Sequence, residues 1–407
     1  MLGEIRLITE QERSIFSITS SIYNWVRDNL FSSPLNILIT LSVFPFAFYL
    51  FISSSDWILN KAEWDAITRN IRIFLIGQYP QSELWRIGTV AFITTNLLGI
   101  SWHLKGVVFQ RLSLIILVPL VSVILIPPIF LDISIGLRSW LALVSMGFLL
   151  GYLLSKFQTI STRVLLISWS LSMIIDFILL RGIEGFGALP YVSTNEWGGL
   201  LLTFFLAIIG ILLSFPLGIF LALGRRSNLP FVKGACVIFI ESIRAVPLVT
   251  LLFMTLIIVP LLLPEGWRLD RVGRAIAAIT IFSGAYMAEN VRGGLASVPV
   301  GQTEAAKALG LGPLLTTTLI VLPQALRNVI PAIVGQFISL FKDTSLVVIV
   351  GLLDLVGIGK AVVLGNVEYI DQQAEVYVFI AAVFWVFTFS MSYVSQIIEQ
   401  SLGVGDR

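Results

Sequence analysis

About ten apolar runs follow one another between Leu35 and Ile398, most of them close to the roughly 20 residues a helix needs to cross a bilayer. They lie near 35–52, 86–101, 112–131, 137–155, 163–180, 197–223, 235–262, 272–290, 326–350 and 376–398. The expected fold class is therefore all-α: a polytopic membrane protein with about ten transmembrane helices. The run at 86–101 is the weakest, being short and carrying Thr89, Thr94, Thr95 and Asn96. The makeup agrees with the runs. Of 407 residues, 57% are hydrophobic and 12% charged, with a mean hydropathy of +0.94, far outside the range of a soluble domain.

Composition also removes several functions. A net charge of +2 with scattered bases gives no reason to expect a nucleic-acid partner. Cys236 and His103 are each the sole residue of their type, so neither an internal disulfide nor a Cys/His metal site can be built from this chain. His103, in SWHLKG at a helix end, reads as interfacial. No G-x-x-x-x-G-K-[ST] phosphate loop exists, because GIGKA at Gly357–Ala361 lacks the leading Gly and the trailing Ser or Thr. No catalytic residues are expected, and the chain hydrolyses nothing by itself.

Three segments divide the chain. Residues 1–34 form a polar opening in which Ile15, Ile18, Ile22 and Trp25 recur at helical spacing, the pattern of an amphipathic helix on the membrane surface rather than of a cleaved leader. Residues 35–185 hold the first five spans and a charged, Trp-bearing stretch from Ser53 to Trp85 that suits the interface. A turn-rich break, RGIEGFGALPYVSTNE at 181–196, precedes a second set of runs over 195–402. Arg225, Arg226 and Lys233 mark one loop as cytoplasmic, as do Arg292, Lys307 and Arg327 around another, although Arg268, Arg271 and Arg274 run against that count. Ten spans then place both termini inside.

The second set is interrupted by GQTEAAKALGLG at 301–312. Gln302–Leu309 is rich in helix formers and Gly310 offers a stop, so a short surface helix is expected with Glu304 in its first turn and Lys307 in its last. Ala305, Ala306 and Ala308 leave it slim enough to enter a groove on another protein. An ordinary loop helix fits the same residues. Pro323 and Pro331 should shape the entrance to the next helix.

The succession Glu304, Ala305, Ala306, three residues, Gly310, nine residues, Ile320, one residue, Leu322, Pro323 resembles the signature loop of ABC importer permeases. ESIRAVPLVTLLF from Glu241, AYMAENVRGGL from Ala285, LPQALRN from Leu322 and FKDTSLV from Phe341 resemble the polar amino-acid branch, and the long front half resembles the longer permease of the general L-amino-acid type. The resemblance implies a C-terminal five-helix permease core and a coupling helix at 301–310. Gly301, Gln302, Glu304, Ala305, Ala306, Gly310 and Pro323 would then dock a cytoplasmic ATPase. It further implies ATP and Mg on that ATPase with no cofactor in this chain, a second homologous permease in a heterodimer, an extracytoplasmic substrate-binding protein, an amino-acid substrate, surrounding membrane lipid and a bacterial inner-membrane location.

Charges inside apolar runs need a reason. Glu241 and Arg244, and again Glu289 and Arg292, are three apart and can pair on one helical face. They read either as residues of the substrate pathway or as helix-end pairs near the cytoplasmic interface. Lys342, Asp343, Thr344 and Ser345 stand mid-run in QFISLFKDTSLVVIVGLL, where they either line the route of a zwitterion through a helix break or form a buried pair. An ion-coupled secondary transporter is the competing reading. It would have no use for a docking helix, and no second related half is visible here.

Overall fold

The structure, a computed structural model, describes residues 24–102, 135–157, 160–264 and 269–403. His103, Trp267, Arg268, the repeat from Ile15 to Ile22 and the apolar run at 112–131 lie outside the described residues. Every named element among the described residues is helical. Six of these helices are long and apolar enough to span, or seven spans result if one sharply bent pair counts as a single one.

The chain forms two compact units, Met1–Glu63 and Trp64–Arg407. In the first, α1 (Pro34–Asp56) starts on a Ser33 N-cap whose hydroxyl accepts from the Asn36 amide at 3.2 Å, with Pro34 at the first helical position. α1 has no buried residue, and Leu38, Phe44, Phe48 and Phe51 stand exposed around it. A helix apolar on all sides takes lipid as its solvent.

The second unit opens with two short helices, α2 (Asp65–Thr68) and α3 (Ile71–Ile76). The sequence marks this stretch as interfacial, and the structure seats it on the C-terminal helices. Ala66, Ile67 and Phe74 are buried in one cluster with Leu355, Ile358, Tyr369, Val376 and Ile380. The Ala66 amide donates to Gln372 Oε1 at 2.8 Å, and Phe74 meets Phe379 edge-on at 5.3 Å.

α4 (Leu84–Ser101), α5 (Ile135–Phe157) and α6 (Thr162–Arg181) follow. The threonines and asparagine that weaken the α4 signal all have partners. Thr89 and Thr94 bond back to their own helix, Thr95 Oγ1 donates to the Val144 carbonyl at 2.8 Å, and Asn96 Nδ2 to the Gly147 carbonyl at 3.0 Å. Small residues let the two backbones come this close. A Cβ on Gly151 would lie 2.0 Å from the Asn96 oxygen, and one on Gly99 would lie 2.2 Å from the Phe148 oxygen.

The centre of the unit is α7 (Gly199–Arg225) against α10 (Arg271–Ser297). Leu202, Leu206, Gly210, Ser214, Gly218 and Ala222 recur every fourth residue on the buried stripe of α7. They pack on residues such as Ile279 and Met287 of α10. Between them the apolar run 235–262, which the sequence presents as one span, is two helices, α8 (Pro230–Arg244) and α9 (Leu248–Leu262), bent by 107°. Pro247 caps α9 in an extended conformation, and the residue before a proline is steered out of the helical region. The remaining helices are α11 (Val300–Ala308), α12 (Leu322–Asn328), α13 (Ile330–Asp343), α14 (Leu355–Gly365) and α15 (Gln373–Ser401). Polar ties hold α10 to two of them: Asn328 Nδ2 to Ser297 Oγ at 2.9 Å, and Gln336 Nε2 to Ser283 Oγ at 3.2 Å.

Candidate functional site

α11 is a helix of nine residues that follows the end of α10 carrying Glu289 and Arg292. It begins at Val300 on Pro299, two residues earlier than expected, so Glu304 sits in the second turn and not the first, while Lys307 stays in the last. Pro299 offers no side-chain cap, and its fixed φ of −58° sets the entry instead. The exit is a Schellman motif. Gly310, at φ +79°, donates to the Lys307 carbonyl at 2.9 Å, and the Leu311 amide donates to the Ala306 carbonyl at 3.1 Å.

Exposure divides the residues of α11 by role. Gly301, Gln302, Glu304, Ala305, Lys307 and Ala308 are not buried, and Leu309 just beyond is 81% exposed. Ala306, grouped by its sequence with the docking residues, is 3% exposed and seats the helix on its own chain. Glu304 and Lys307 share no ion pair among the described residues. A side-chain link to the bundle comes from Gln324 of α12, whose Nε2 donates to Gln302 Oε1 at 3.3 Å and to the Ile320 carbonyl at 2.8 Å.

A π-helical turn, Thr316–Val321, leads into α12, with Pro323 at its second position; Pro331 holds the same position in α13. Proline cannot donate to the carbonyl four residues back and its ring crowds that carbonyl, so a wider turn just upstream relieves the fault. Nothing in the sequence singles out Gln324 for this role. For the turn, Pro323 is the visible signal.

Close by lies a charge network. The two intrahelical pairs form as the spacing requires: Arg244 Nη1 stands 4.0 Å from Glu241 Oε2, and Arg292 Nε donates to Glu289 Oε1 at 2.7 Å. Arg225, at the end of α7, joins them, with its Nη1 at 2.9 Å from Glu241 Oε1 and 3.4 Å from Glu289 Oε2. Arg244 also reaches Glu289 at 3.9 Å and lies 5.3 Å over the Tyr286 ring. α7, α8 and α10 are thereby tied at one end. The sequence presents Arg225 only as a loop charge, since nothing local shows that two other helices end beside it.

The Lys342–Ser345 segment sits where α13 gives way to a 3-10 turn, Thr344–Val350. Lys342 is exposed, Asp343 and Ser345 are half-buried, and Thr344 is fully buried with its hydroxyl donating to the Phe341 carbonyl at 2.7 Å. The buried Lys–Asp pair is not formed. Neighbours on a helix point about 100° apart, and the two side chains share no ion pair among the described residues.

Residues 214–404 match the family described as "Binding-protein-dependent transport system inner membrane component". The chain is 36% identical over 416 residues to the inner membrane amino-acid ABC transporter permease protein YhdY of Escherichia coli, covering 98% of each chain. It is 36% identical, over 93% of each chain, to the glutamate/glutamine/aspartate/asparagine transport system permease protein BztC of Rhodobacter capsulatus. Among solved structures, an amino acid ABC transporter crystallised with histidines is 29% identical over 50% of this chain and 92% of that one, at a TM-score of 0.45. The ion-coupled reading finds no support in these relatives. The likeness to YhdY and BztC runs through the front half as well as the permease core, and on it the chain belongs to the amino-acid ABC transporter permeases of the bacterial inner membrane.

Proposed function

We propose that this chain is the membrane-spanning subunit through which an L-amino acid is imported, with the energy supplied by a separate cytoplasmic ATPase that docks on α11. The observation that carries the proposal is the exposure of α11: seven of its nine positions and Leu309 face outward, on a helix fixed at its exit by the Gly310 turn and at its side by Gln324. A short rigid helix of that kind transmits displacement without absorbing it. ATP and Mg would be held by the ATPase. Its closure would shift α11, and the shift would pass through Gln302–Gln324 and the π-turn into α12 and α13, favouring one of two helix arrangements.

On this reading Gly301, Gln302, Glu304 and Ala305 meet the ATPase, Gly310 sets the exit and Pro323 starts the driven helix. The route for substrate passes the end of α13, where exposed Lys342 and half-buried Asp343 offer one charge of each sign to a zwitterion, beside Ser345. Glu241, Arg244 and Glu289 keep helix register at the cytoplasmic mouth and do not bind substrate. The complex is completed by a homologous but different permease, by a second ATPase copy and by an extracytoplasmic binding protein.

The test is uptake of radiolabelled L-amino acids into proteoliposomes holding the chain with its co-purified partners. Uptake should require ATP and the binding protein, and Lys342→Ala should lower it without loss of the assembled complex. Uptake that persists without ATP and collapses with the ion gradient refutes the proposal.

A further inference from the structure

Beside the charge network, the ends of α7, α8 and α10 frame an open cavity of about 360 Å³ lined by Arg225, Arg226, Lys233, Val237, Arg292 and Ala296. Four of its six lining residues are cations. With Arg244, five cations in this corner answer to two carboxylates, Glu241 and Glu289, and both carboxylates are already engaged by Arg225, Arg244 and Arg292. The surplus falls on Arg226 and Lys233. Arg226 spends Nη1 on the Leu295 carbonyl at 3.0 Å, which aims the guanidinium and leaves its other N–H groups free of protein partners among the described residues. The Lys233 side chain has no ion pair or hydrogen bond among the described residues.

Converging N–H donors with an uncompensated positive charge recognise an oxyanion, and phosphate suits guanidinium geometry. We infer that this cavity binds the phosphate of an anionic phospholipid of the cytoplasmic leaflet. Two features favour a lipid over free phosphate. The lining carries carbon as well as charge, from Val237, Ala296 and the stems of the four long side chains. α8, which supplies Lys233 and Val237 to the lining, also bears exposed Phe231 and Ile238, seven residues apart on a different face of the helix, which place its outer side against apolar surroundings. The cavity thus stands where a headgroup lies. A bound lipid there would bridge α8 to α10 at the mouth of the permease, so transport rate should depend on anionic lipid.

The experiment uses the full transporter, purified with its partners and exchanged into vesicles of phosphatidylcholine alone or with phosphatidylglycerol, with native mass spectrometry to read retained lipid. The native complex should retain phosphatidylglycerol over phosphatidylcholine. Lys233→Gln and Arg226→Gln should each lower that retention by about fivefold, the effect of one cation near an anionic surface. Lys233→Arg should restore it, which separates loss of charge from misfolding, and Lys360→Gln elsewhere on the chain should change nothing. Displacement by millimolar inorganic phosphate as readily as by lipid would make free phosphate the ligand and overturn the lipid assignment. Unchanged retention in both Gln variants, or loss of the ATPase with lipid retained, would also overturn it, the latter by assigning the cavity to an acidic partner residue.

Discussion

Replacing Gly151 by alanine tests the packing of the front half. Alanine is worth about 1 kcal/mol more than glycine in a helix interior, so propensity alone predicts stabilisation. The structure predicts the opposite. The new Cβ would stand 2.0 Å from the Asn96 oxygen and 3.0 Å from the Ile100 amide, while ordinary contact begins at 3.4 Å, so α4 and α5 must part by about 1.4 Å, the difference between 3.4 and 2.0. That displacement stretches the Thr95–Val144 bond from 2.8 Å and the Asn96–Gly147 bond from 3.0 Å past useful length. Interhelical hydrogen bonds in bilayers are worth about 0.6 kcal/mol each, and overpacking costs about 1–3 kcal/mol. After subtracting the propensity gain, a net loss of about 1–3 kcal/mol remains. Gly234, inside α8, has open space within 4 Å of where a Cβ would stand and is the matched control; Gly234→Ala should stabilise by up to about 1 kcal/mol. Thermal unfolding in detergent, followed by intrinsic tryptophan fluorescence, reads both. Equal stabilisation by the two substitutions would refute the close approach of α4 and α5.

Other outcomes follow from the same geometry. Glu289→Gln removes the carboxylate shared by Arg225, Arg244 and Arg292 and leaves three guanidiniums facing Glu241; the melting temperature should fall at low salt by the equivalent of about 1–2 kcal/mol and recover part of that at high salt, because these side chains are partly solvated. Asp354, fully buried at the N-cap of α14, is pushed up to about 7 by burial, against the pull of the Gly357 and Val356 amides. Its folded value lies above its unfolded value of 3.8, so stability is highest below that value and falls by about 1.4 kcal/mol per pH unit until pH passes about 7. Asp354→Asn keeps the acceptor for Gly357 without the charge, and its melting temperature should be flatter between pH 5 and pH 8 than that of the native chain. Gly310→Ala places a side chain at φ +79°, a cost of about 1–2 kcal/mol for the left-handed backbone. It should loosen the exit of α11, lower ATP-driven uptake and reduce the melting temperature by the equivalent of that strain alone, since the added Cβ meets no neighbour within 4 Å.

The elements legible in the sequence are those whose causes are local. GQTEAAKALGLG announces α11 and its Gly310 exit because helix propensity and a left-handed turn are both written in adjacent residues. Its true start is hidden because Pro299 acts through a fixed φ, without the side-chain cap that marks most helix starts. Hydropathy cannot see direction, so 235–262 reads as one span although Pro247 turns it by 107°. The polar residues of α4 weaken its signal until α5 supplies their partners. Tertiary encounters are the least legible. The i,i+3 pairs at Glu241 and Glu289 can be read, whereas Arg225, which joins them, lies 16 residues from one partner and 64 from the other. Likewise nothing near Ala66 or Phe74 foretells burial beneath Gln372 and Phe379.

The docking role of α11 is tested most directly by recovery of the ATPase with affinity-purified Glu304→Arg protein, scored with ATP-driven uptake and melting temperature. Glu304 is exposed and has no ion pair among the described residues, so the substitution leaves the chain's own fold intact. An unchanged melting temperature is expected, with ATPase recovery and uptake both reduced by at least about tenfold, the factor that about 1.4 kcal/mol at the interface produces. Full ATPase recovery with native uptake would contradict that role and leave α11 an ordinary surface helix.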